Sequence, residues 1–112
     1  MSATVYRVRL DEMPTSKLRR LCDRMLEALG LTDWTVEVHV YPRDFPGAEA
    51  AVVADEDDKA ATVWLPRAHT KDLAHELGHL RIEADGLTFP GVEMEEREAD
   101  RLGRKAERAV RG

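Results

Sequence analysis

In this chain of 112 residues, the side chains best spaced for chemistry are those of His75-Glu76-Leu77-Gly78-His79. On an α-helix, positions i and i+4 stand one turn apart on the same face, so both imidazoles can reach one metal ion. The residue after the first histidine lies about 100° round the helix. A glutamate there borders an open coordination position without filling it. A zinc ion that performs hydrolysis needs about three protein ligands and one position for water, so a third ligand must come from another element. Leu73, Leu77, Leu80 and Ala84 form an apolar stripe, and the histidines fall on the opposite side. They are therefore not placed as core histidines, and the remaining alternative is a pair of surface histidines on a charged helix. Gly78 costs helix stability, which points to something packed close to the backbone.

The C-terminal stretch carries Glu93, Glu95, Glu96, Glu98 and Asp100. Its inward stripe is Val92, Ala99, Gly103, Ala106 and Val110, and Glu96 falls on that stripe between Val92 and Ala99. Glu98 points away, while Glu93 and Glu95 sit on the margins. A carboxylate on an apolar face needs a partner. A metal is one such partner, and an arginine in a buried salt bridge is the other. Asp100, one turn further on, can accept a hydrogen bond from a ligating imidazole and fix its tautomer. The small residues Ala99, Gly103 and Ala106 allow this helix to pack closely on the histidine helix.

The two segments together resemble the gluzincin metallopeptidases: His-Glu-Leu-Gly-His, then Glu96-Arg97-Glu98-Ala99-Asp100 beginning 17 residues after His79. The small size and the order of elements resemble the minimal forms called minigluzincins, and next to them the ImmA/IrrE-type peptidases that cleave repressors. The resemblance covers residues 70–103. It implies a zincin-like fold, Zn2+ held by His75, His79 and Glu96, Glu76 as general base, and Asp100 as the group that orients a ligating imidazole. A peptide or protein would be the substrate. It also implies that the strand before the active helix, about Ala61 to Leu65, forms the rim of the cleft and pairs with an extended substrate. Trp64 on that strand and Arg67 beyond it would then be near the substrate, although a strand tryptophan is more often packed in the core. Larger gluzincins place a His or Tyr after the glutamate helix to stabilise the oxyanion, and none follows Glu96 here. Tyr41, His39 and His69 are the substitutes on offer, each more readily read as a strand-face or loop residue. A second reading keeps the same ligands around a structural zinc in a binding module that never turns over.

The elements that must hold this pair begin with Pro14-Thr15-Ser16, a helix-start signal. Leu18, Leu21, Cys22, Met25 and Leu29 follow on one face, and Gly30 closes the helix. Cys22 lies inside that stripe and reads as a buried core thiol. Trp34, Val36, Val38 and Val40 alternate with Thr35, Glu37, His39 and Tyr41, the pattern of a half-buried strand. Pro42 to Gly47 reads as a loop. Ala50 to Ala54 and Ala61 to Leu65 form a hairpin about an acidic turn, Asp55 to Lys59. That turn lacks the Gly and the terminal Glu of a helix-loop-helix calcium site and reads as solvated. Thr70 starts a helix through about Ala84, Asp85-Gly86 breaks it, and Pro90-Gly91 opens the last helix. Residues 3–10 alternate weakly, so residues 1–13 are an edge strand or an arm lying across the cleft. The result is an α+β class: a 3–4-stranded sheet with an N-terminal helix, an active-site helix and a C-terminal glutamate helix.

Apolar residues make up 43% and charged residues 35%, the balance of one globular domain spanning residues 1–112. A formal charge of −5 argues against a nucleic-acid backbone as partner, and the arginines from Arg97 to Arg111 are interleaved with glutamates. The single cysteine permits no intrachain disulfide. No run near the start is apolar enough for a signal peptide or a membrane span, so the expected setting is cytoplasmic, without a membrane partner.

Overall fold

A computed structural model describes residues 3–6, 15–41 and 46–111. The elements are β1 (Ala3–Tyr6), α1 (Thr15–Ala28), β2 (Thr35–Val40), β3 (Ala51–Asp55), β4 (Ala60–Leu65), α2 (Thr70–Ala84) and α3 (Val92–Arg111). The class is α+β, with a four-stranded mixed sheet in the order β1-β2-β4-β3. β1 and β4 both run parallel to β2, and β3 pairs antiparallel with β4. The N-terminal residues Ala3–Tyr6 thus form an edge strand. They lie at the edge opposite β3, the strand that packs with α2, so this segment does not cross the histidine helix. Residues 7–14 and the loop residues 42–45 of the sequence reading lie outside the described residues.

Alternation in β2 and β4 sets the two faces of the sheet. Val36, Val38 and Val40 pair in register with Ala61, Val63 and Leu65, and all six are buried beneath the helices. Leu18, Cys22, Met25, Leu26 and Leu29 of α1 and its C-terminal turn complete this layer. Truncating one such core side chain costs about 2–5 kcal/mol. An exposed pair such as Arg101 with Glu98 is worth about 1 kcal/mol at most, so packing decides the fold. On the outer face, Trp64 stacks on His39 with ring centroids 4.4 Å apart and tilts against Tyr41 at 5.7 Å. Trp64 therefore belongs neither to the core nor to a cleft beside α2.

α2 is buried on two sides. Leu73, Leu77 and Leu80 are buried in the main core, while Ala74 and Gly78 lie against α3. α3 presents Ala99, Leu102, Gly103 and Ala106 inward. Asp85 caps α2, and Gly86, at φ +65°, turns the chain out of it in the left-handed region that favours glycine. Arg81 pairs with Asp85 and donates to the carbonyls of Leu29 and Gly30, at 3.0 and 3.3 Å, which joins the ends of α1 and α2. The acidic turn is a solvated one: Asp55 Oδ1 accepts the backbone N–H groups of Asp57 and Asp58.

Two expectations need correction. β4 lies between β2 and β3, so Ala61 to Leu65 offers no free edge to a substrate; on this side of the sheet the edge strand is β3. Val92 shares the angular face of Ala99 but is 75% exposed. It lies in the first turn of α3, ahead of the close approach to α2 at Ala99.

Candidate metal centre

α2 and α3 run antiparallel, Gly78 meeting Ala99 and Gly103 meeting Ala74. A Cβ at Gly78 would stand 2.4 Å from the Ala99 carbonyl oxygen, so only glycine permits this approach. That contact brings Glu96, one turn before Ala99, over the two imidazoles. Glu96 Oε2 lies 2.9 Å from His75 Nε2, Glu96 Oε1 lies 3.1 Å from His79 Nε2, and the two Nε2 atoms are 3.2 Å apart. The rings meet edge-on, at 81°.

On the outer side of His75, Nδ1–H donates to Asp100 Oδ1 at 2.7 Å. That bond sets the tautomer and leaves the Nε2 lone pair pointing at Glu96 and His79. A cation among these atoms would be attracted by the His75 Nε2 lone pair, the His79 ring nitrogen and the Glu96 carboxylate together. Ligands of a tetrahedral zinc with bonds of ~2.0–2.2 Å lie about 3.3 Å apart, close to the spacing here. His75, His79 and Glu96 could therefore hold a metal ion, and they form the one such group among the described residues. The donor set fits zinc: two imidazoles and a carboxylate, with side chains 24%, 16% and 47% exposed.

Glu76 has a different environment. It is buried, 6% exposed. Burial pushes its carboxyl pKa up; the His79 and His75 rings oppose that, and Glu96 and Asp72 reinforce it. A carboxylate buried in this way accepts a proton more readily than an exposed one.

Each site residue expected from the sequence falls in this cluster or next to it. The oxyanion substitutes do not. His39 and Tyr41 belong to the Trp64 stack on the far face of the sheet. His69 is the exposed N-cap of α2, about 9 Å along the helix from His75. Glu95, read only as a marginal residue, brings Oε2 to 3.9 Å from His79 Nδ1. That is too long for a hydrogen bond but near enough to favour one orientation of the ring. The Glu95 position, one residue before Glu96 on a glutamate-rich helix, carried no distinguishing signal.

Compared with known protein families, curated proteins and solved structures, the chain matches none. No helix among the described residues is long and apolar enough to cross a membrane.

Proposed function

We propose that this chain is a small zinc-dependent endopeptidase of the gluzincin type, acting in the cytoplasm on peptides or proteins. The observation that carries the reading is the meeting of His75, His79 and Glu96 within 3.2 Å, with a buried glutamate, Glu76, on the same helix. His75, His79 and Glu96 would hold the ion, and Asp100 and Glu95 would orient the two rings. When bound, zinc acidifies water toward a pKa of ~7 and polarises a carbonyl. Glu76 accepts the proton of the attacking water and delivers it to the departing amine. No covalent link to the chain forms, so the products are two peptides. An extended substrate adds to the free edge of β3, where Val53 is 65% exposed.

Glu76→Gln keeps the shape of the side chain and removes the base. Cleavage of a quenched-fluorescence peptide library should fall by at least about 100-fold, with zinc content unchanged. Cleavage by the variant at the wild-type rate would overturn the mechanism. Wild-type protein that binds zinc yet cuts nothing would instead indicate the binding module.

A further inference from the structure

Beside the metal centre, between the first turn of α2 and the C-terminal half of α3, lies a cavity of about 420 Å³ whose wall includes His75 and Asp100. Its charged groups are unevenly used. Asp100 is taken by His75 Nδ1–H, and Glu107 by Arg111 at 3.4 Å. Lys71, Arg104 and Arg108 also line the cavity, and none of them has an ion-pair partner among the described residues. Helix spacing would let Arg104 pair with Asp100 or Glu107, at i−4 and i+3, yet both acids turn elsewhere. Arg81, Arg101 and Arg111 do have such partners. Four cations, Lys71, Arg104, Arg108 and Arg111, against two carboxylates, Asp100 and Glu107, leave the cavity positively charged, in a chain with 22 acidic and 17 basic residues.

The distances suit a peptide. Lys71 precedes His75 by one helical turn and Arg104 follows Asp100 by one turn, about 6 Å in each case. That is roughly two residues of extended chain. Resting on the reading of His75, His79 and Glu96 as a peptidase centre, we propose that this cavity is a carboxylate subsite. It selects substrates with a negative group about two residues from the cleaved bond. Lysine and arginine donate charge-assisted hydrogen bonds to that group, which is either an acidic side chain or the C-terminal carboxylate of the peptide.

Zinc-loaded Glu76→Gln protein provides the test, because it holds peptide without cutting it. Three probes are titrated: N-acetyl-tetraalanine with a free C-terminus, its C-terminal amide, and that amide with one alanine replaced by glutamate. Binding is followed by NMR shifts at the backbone amides of Lys71 and Arg104. At least one carboxylate probe should bind about fivefold or more tightly than the neutral amide, and which one does so identifies the source of the carboxylate. Adding Lys71→Gln, Arg104→Gln and Arg108→Gln should abolish the preference, and as exposed substitutions they leave the thermal midpoint in place. Equal binding of all three probes, or a preference that survives the triple substitution, overturns the proposal. The shifts need no turnover, and zinc stoichiometry on the same samples tests the metal reading separately.

Discussion

Gly78→Ala strikes at the contact on which the proposed metal centre depends. The new Cβ would stand 2.4 Å from the Ala99 carbonyl oxygen and 3.2 Å from the Ala99 C and Cα, where ordinary contact begins at 3.4 Å. The obstacle is backbone, so no rotamer change relieves it, and α2 and α3 must separate by about 1 Å. Two effects compete in the stability. Alanine gains about 1 kcal/mol of helix propensity over glycine, while forcing a packed interface open costs about 1–3 kcal/mol. The net loss should be about 1 kcal/mol, a fall of about 4–8 °C in Tm for a domain near this size. The metal is the more sensitive reporter. Glu96 rides on the same helix turn as Ala99, and coordination distances tolerate only about ±0.2 Å. Zinc affinity should therefore fall at least about tenfold, the lower end of what losing an orienting partner costs. A chelator competition, beside thermal unfolding with and without zinc, measures both. Gly103→Ala is the control: its Cβ meets Ala74 and His75 backbone at 3.2 Å, which needs a shift of only a few tenths of an ångström. A Gly78→Ala protein more stable than wild type and equal to it in zinc affinity would refute the close approach of the helices.

Asp100→Ala should weaken zinc binding by about 10–100-fold without changing metal-free stability, because the side chain is 57% exposed; unchanged affinity in chelator competition would remove Asp100 from the centre. Cys22 is buried in the core with its thiol pKa pushed up to about 12, chiefly by burial and further by Asp23. A thiol-reactive disulfide should therefore leave it untouched in native protein at pH 8 and label it at once in denaturant. The linkage has a definite sign. The folded pKa lies above the unfolded value of 9.0, so the folded state holds the proton more tightly, and this contribution is complete below pH 9 and lost as pH rises from 9 toward 12. Denaturant unfolding at a series of pH values should show that decline in wild type and a smaller one in Cys22→Ala.

Much of the fold was legible because period and burial coincide. The alternation about Val36, Val38 and Val40 and the stripe from Leu18 to Leu29 each mark a face that is buried in the structure. Asp85-Gly86 ends α2 where its turn chemistry requires. What local pattern does not encode is the order of strands. β3 and β4 both read as short apolar runs, and only the parallel pairing of β4 with β2 places β4 inside the sheet. A hint was present: Ala51 to Asp55 is small, ends in a charge and leaves Val53 exposed, as edge strands do, whereas Ala61 to Leu65 is more uniformly apolar, as interior parallel strands are. The parity of His39 with Glu37 and Thr35 already assigned it to the solvent side, away from any metal on α2. Val92 shows the complementary limit, since a residue's angle on a helix says nothing of how far along the axis its neighbour extends. The meeting of His75 and His79 was legible because helical spacing alone brings them together. The cavity was not, because it depends on which partners Asp100 and Glu107 choose.

Metal content is the most direct test of the account. Wild-type protein, purified and then supplied with zinc, should carry about one zinc per chain by elemental analysis, and Glu96→Ala should lose it or bind it far more weakly. Wild type that takes up no zinc, or a Glu96→Ala protein that binds it as tightly as wild type, would contradict the assignment of His75, His79 and Glu96 as a metal centre.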